Sequence, residues 1–97
     1  MVPTKLMEKI ARDFDLTKEE LIEESLKAEI RRRLAGYKFV DYTLSKKYEM
    51  NFSLFERKKI VKKKNFSFAV ENDYHNWDQA IDGIETLEKD LRMLGRD

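Results

Sequence analysis

A chain of 97 residues, 40% charged and 41% hydrophobic with a net charge of +1, makes one domain with a core of modest size. That apolar share excludes a disordered chain, and the charge balance is far from the basic excess usual in nucleic-acid-binding domains. Zero Cys removes disulfides, thiol nucleophiles and thiolate metal sites, and there is no run of about 18 apolar residues to span a membrane.

Val2-Pro3 opens the chain, and Pro suits the first position of a helix. Leu6, Met7, Ile10, Ala11 and Phe14 then repeat at helical spacing, which predicts a first helix ending near Asp13 and a break at Asp15 to Thr17. Thr17 and Glu20 form a T-x-x-E capping box, in which each residue satisfies the other's exposed backbone donor. Leu16 and Leu21 stand where a hydrophobic staple needs them, just before the cap and four residues into the helix. Ile22, Leu26, Ile30, Leu34 and Tyr37 continue one stripe. Gly36 weakens the interior by about 1 kcal/mol relative to Ala, yet the helix is expected to run on through Val40 and Leu44 to Tyr48. A stop at Gly36 is the alternative, and Phe39 to Thr43 is rich enough in β-branched and aromatic residues for a short strand.

Asn51 to Ser53 reads as a break, and Ser53 with Glu56 as a second capping box. A short basic helix should follow, with Leu54, Phe55, Ile60 and Val61 as its apolar residues. Phe66, Phe68 and Val70 alternate with polar or small residues, so 65–70 is expected to be extended or a turn. From Val70 onward Tyr74, Trp77, Ile81, Ile84, Leu87, Leu91 and Leu94 step by threes and fours along one helical stripe. Arg92 in the last turn and Gly95 after Leu94 mark the end. The expected fold is all-α: a long central helix packed antiparallel to a C-terminal amphipathic helix, with two shorter helices, in a single domain spanning 1–97. Several apolar helical faces must be buried within a short chain, which a homodimer does more easily than a monomer.

No nucleophile–base pair, Gly-rich phosphate loop or metal set stands out, so no catalytic residue, cofactor or metal is expected. His75 is the only His; with Glu71, Asp78 and Gln79 it could be a ligand at helical spacing, but one imidazole among carboxylates reads better as a surface His. Glu71, Asp73, Asp78, Asp82, Glu85, Glu88 and Asp90 read as the solvated face of the last helix, or as a docking surface for a basic partner. The basic cluster Arg57, Lys58, Lys59, Lys62, Lys63 and Lys64 is the candidate for nucleic-acid contact, with Phe55, Phe66 and Phe68 as stacking residues; pairing with the acidic last helix is the plainer use. Arg31, Arg32 and Arg33 spread over most of a helix circumference and make no patch. Aromatic anchors on an amphipathic helix are what groove-binding helices present, which nominates Phe55, Phe66, Phe68, Tyr74 and Trp77 for partner binding, although a small core would also claim Trp77. A third reading is a structural helical hairpin or coiled coil. The N-terminus lacks an apolar signal core, so a cytoplasmic protein is expected.

The run P-T-K-L-M-E-K-I-A-R-D-F-D-L-T-K-E-E-L-I-E-E-S-L-K-A-E-I-R-R-R-L, Pro3 to Leu34, resembles the two-helix part of ribbon-helix-helix regulators, in which a Pro-led helix, a polar turn and an E-L-I-x-E-[AS]-[LI] helix form a dimer. Those regulators read DNA with a strand before the first helix, and only Met1 and Val2 precede Pro3 here. The whole chain resembles small, helical, charge-rich antitoxin-like proteins of archaea and some bacteria. The shared features are the E-E-L-I-E-E-S-L helix, then Lys47, Tyr48, Met50, Phe52, Phe55 and Glu56, then Asp73, Tyr74, Trp77 and Asp78. The resemblance implies a non-enzymatic protein that dimerises through its first two helices (3–16 and 17–49) and masks a toxin with the 53–97 half.

Overall fold

The computed structural model describes residues 1–65 and 67–95 and contains five helices and no strand among them. α1 spans Thr4–Asp13, α2 Lys18–Tyr48, α3 Phe52–Arg57, α4 Ile60–Lys63 and α5 Phe68–Leu94. The long helices α2 and α5 lie side by side and antiparallel. Lys47 near the end of α2 pairs with Asp73 near the start of α5, and Lys38 with Glu88 further along. The all-α hairpin read from the stripes is therefore the architecture, with three short helices in place of two.

Local chemistry sets the element ends. α1 closes in a Schellman motif: Leu16 N–H donates to Ala11 O (2.8 Å) and Asp15 N–H to Arg12 O (3.0 Å), with Asp15 left-handed at φ 60°. The capping box forms as the sequence requires, Glu20 N–H donating to Thr17 Oγ1 at 3.0 Å and Thr17 N–H to Glu20 Oε1 at 2.9 Å. α2 then runs unbroken past Gly36 for 31 residues, about 46 Å. Phe39 to Thr43, a possible strand by propensity, is helical because α5 packs along the same stretch of α2.

The junction after α2 departs from the sequence reading. Asn51, not Ser53, caps α3, accepting from Leu54 N–H at 2.8 Å. Starting two residues early turns Phe52 inward, where it is buried, and that burial outweighs the Ser53–Glu56 box. The expected single basic helix is split at Lys59, which is left-handed at φ 52° and stands at the start of α4. The alternation at Phe68 and Val70 is not a strand either. Ser67 caps α5, accepting from Val70 N–H at 3.3 Å, so the last helix begins at Phe68 rather than Val70. Phe66 lies outside the described residues.

The core sits at one end of the hairpin. Leu44, Phe52, Phe55 and Trp77 form it, flanked by Val40, Tyr48, Met50, Ile60, Val61, Val70, Tyr74 and Ile81. Trp77 is fully buried and Phe55 is 1% exposed. Toward the other end only Ala11 and Leu34 of α1 and α2 are buried. The molecule is a rod of 58 × 27 × 18 Å with a radius of gyration of 19.1 Å, against about 13 Å for a compact domain of 100 residues. A rod this thin has little interior away from the Trp77 cluster.

Candidate functional site

α3, α4 and the first half of α5 bring Phe55, Phe68, Tyr74, Trp77 and the six cations to the same end of the rod, but in different roles. Phe55 and Trp77 are core. Their rings meet at 5.1 Å, and Trp77 also contacts Phe52 at 5.4 Å and Tyr48 at 6.1 Å. The indole N–H donates to Asp41 Oδ1 at 2.8 Å, so even the polar handle of Trp77 is occupied. Neither side chain offers surface to a partner, which corrects their nomination as partner contacts: the stripe carrying Trp77 is consumed by α2 and α3. Tyr74 is half-buried, its ring 5.8 Å from that of Phe52, and its hydroxyl donates to Glu56 Oε2 at 3.0 Å. Phe68 is the one described member of the set that remains open, at 84% exposure.

Asp73 is the polar hinge between α2 and α5. Its Oδ2 accepts from Lys47 Nζ at 2.6 Å and from the Tyr48 hydroxyl at 2.7 Å. Burial raises the pKa of this carboxyl, but the two hydrogen bonds outweigh it and hold it below the usual carboxylate range. Tyr48 shifts the other way: burial, then the bond to Asp73, pushes its hydroxyl up to about 12. Tyr74 is raised as well, chiefly by its bond to Glu56. The signs fix two pH limbs. Asp73 stabilises the fold above the unfolded carboxylate pKa, and that contribution is lost as pH falls through the lower folded value. Tyr48 stabilises it fully below the ordinary phenol value of 10.0, and this is lost as pH rises from there to about 12. Thermal melts followed by circular dichroism should therefore lose stability across that alkaline window. Tyr48→Phe should flatten the limb; an identical limb in the variant would contradict the assignment.

The six cations Arg57, Lys58, Lys59, Lys62, Lys63 and Lys64 are all exposed. Among the described residues none of them lies within ion-pairing distance of a carboxylate, the ion pairs being Lys9–Asp13, Lys27–Glu23, Arg32–Glu29, Arg33–Glu29, Lys38–Glu88 and Lys47–Asp73. Pairing with the acidic last helix, the plainer use expected for the cluster, is thus not what the fold provides: the partners of α5 come from α2. Arg32 and Arg33, by contrast, share Glu29, whose carboxyl their hydrogen bonds pull down to about 2.

Beside the basic cluster lies a cleft of about 460 Å³ between α3, α4 and α5, lined by Phe55, Glu56, Lys59, Ile60, Val61, Lys62, Glu71, Tyr74 and His75. Its lining is mainly apolar, with Glu56, Lys59, Lys62 and Glu71 as its charged members. His75 is exposed, its ring 5.7 Å from that of Tyr74. Among the described residues no group of three or more His and carboxylate side chains converges as metal ligands would, and no helix is long and apolar enough to cross a membrane. Sequence reasoning missed this cleft because it depends on the break at Lys59. A Lys is an unexpected residue in a left-handed conformation, so nothing local announces the turn.

Comparison with known protein families, characterised proteins and solved structures found no match to this chain.

Proposed function

We propose that this chain is a non-enzymatic protein-interaction module that acts as a homodimer, in the manner of the antitoxin-like proteins its sequence resembles. The observation that supports this is the end of the rod opposite the aromatic core. There Leu6, Phe14, Ile22, Leu26 and Met93 are 42–63% exposed. Leu26 and Met93 also line, with Ile30, Leu94 and Asp90, a shallow groove of about 410 Å³ between the first half of α2 and the last turns of α5. Apolar residues gathered this way on a thin rod mark an interaction surface. A second copy carries the same face and can cover it in a two-fold arrangement. The partner protein is expected to be basic and to meet the acidic face of α5, where Asp82, Glu85 and Asp90 border one surface depression.

The test is the mass in solution. Light scattering should give twice the 11.7 kDa of the chain, and Ile22→Glu with Leu26→Glu should give a single copy whose helical circular dichroism is kept. A parent protein that stays a single copy at its highest soluble concentration would remove the proposal.

A further inference from the structure

The geometry points to a binding site for single-stranded nucleic acid at the core end of the rod, built from the basic α3–α4 segment, the adjoining cleft and the exposed ring of Phe68. Three observations carry it. First, charge is strongly segregated. The segment from Arg57 to Asn65 holds +6 and no acid, against +1 for the whole chain, so the rest of the molecule carries −5. In a protein with that many carboxylates, six cations left without one among the described residues form an open electropositive surface suited to a phosphate backbone.

Second, Lys59 and Lys62 belong to both the cationic surface and the cleft. A phosphate held on these ammonium groups leaves its base beside Ile60, Val61 and the Tyr74 and His75 rings, with Glu56 and Glu71 as the acids of the same cleft. The cleft volume of about 460 Å³ lies within the roughly 300–1,000 Å³ of ligand sites. Third, Phe68 is three residues before Glu71 and seven before His75, a spacing that places all three on one face of α5. Glu71 and His75 line the cleft, so Phe68, at 84% exposure, extends that wall outward as a free aromatic platform. A base stacks on such a ring only when it is not already stacked in a duplex. This selects a single strand, and the site stands whether or not the chain dimerises through its other end.

The experiment measures fluorescence anisotropy of labelled oligo(U) and oligo(dT), about 12 nucleotides long and within the span of single-strand sites, with the full chain. Binding is expected at about 50 mM salt. If all six cations engage phosphates, the log–log salt slope is about −4, so affinity falls a few hundredfold by 200 mM. Lys58→Glu with Lys62→Glu and Lys63→Glu should flatten that slope by about half. Phe68→Ala should weaken binding about 5- to 150-fold with the slope unchanged, and Phe68→Tyr should restore it. All four positions are exposed, so circular dichroism should match the parent in every variant. The inference is overturned by absence of binding at 50 mM salt, by Phe68→Ala binding like the parent, by a duplex of equal length binding as tightly, or by phosphatidylserine vesicles being bound while the oligonucleotides are not.

Discussion

Trp77→Ala is expected to lower the melting temperature by roughly 15–30 °C, the largest single effect in this chain. Truncating a buried aromatic to Ala costs about 3–5 kcal/mol. Among the described residues Trp77 is the centre of the one sizeable buried cluster, with Tyr48, Phe52 and Phe55 all in ring contact. A thin rod has no second layer that could collapse into the hole. Asp41 also loses the indole N–H that donates to it at 2.8 Å, leaving a partly buried carboxylate short of one partner. The loss is a large share of a total stability of about 5–15 kcal/mol, and at about 4–8 °C per kcal/mol for a domain of this length it gives the drop expected. Circular dichroism melts measure this directly. Asp41→Ala removes the acceptor without touching the ring cluster and should cost about 1–3 kcal/mol, the indole N–H being left unpaired. A Trp77→Ala protein melting within a few degrees of the parent would mean that the indole is not where the core is made. Trp77→Ala is therefore no probe of partner contact, because loss of capture would report unfolding.

Gly83→Ala and Gly36→Ala should move stability in opposite directions although both replace a Gly inside a long helix. At Gly36 a Cβ meets nothing within 4 Å, so the substitution gains only helix propensity, about 1 kcal/mol. At Gly83 a Cβ would stand 2.6 Å from Cδ2 and 2.8 Å from Cζ of Tyr37. The Tyr37 ring is half-buried and lies directly on the backbone of α5 at Gly83. Displacing it, or spreading α2 from α5, costs about 1–3 kcal/mol, enough to exceed the propensity gain. Gly83→Val enlarges the loss, since a branched side chain adds bulk where the first carbon already overlaps. Urea titrations of the single variants and of Gly83→Ala with Tyr37→Ala would show it. The double variant should recover most of what Gly83→Ala loses beyond Tyr37→Ala itself, a coupling of the sign expected for a steric pair. A stabilised Gly83→Ala protein would show that the helices have room to part.

These two glycines mark what could and could not be read from the residues in order. Features that depend on neighbours within four positions were legible. The Thr17–Glu20 box, the end of α1 near Asp13, the passage of α2 through Gly36 and the end of α5 at Leu94 all follow from caps and periodicity. The antiparallel pairing followed from two long stripes that need each other. Where two local signals competed, tertiary contact decided. Asn51 and Ser53 are both good caps, and the choice falls to Asn51 because it buries Phe52. Ser67 could have ended a strand and instead starts a helix. The break at Lys59 has no local signal at all. In the candidate site the cations were visible as a run and Phe68 as an aromatic beside it. Their freedom from the carboxylates of α5 was not, because it depends on which side of that helix faces α4. Nor did the sequence separate the aromatics by role: Phe55 and Trp77 lie inside and Phe68 outside, and all three sit on apolar-rich stretches.

The lopsided core also ties assembly to order. The half of the rod that holds α1 keeps its shape with only Ala11 and Leu34 buried in α1 and α2 there, so its local opening free energy is small beside that of the Trp77 end. Whatever covers the exposed leucines and isoleucine at that tip stabilises the closed form by mass action. Were a second copy that cover, as proposed, the tightness of the tip would rise with protein concentration.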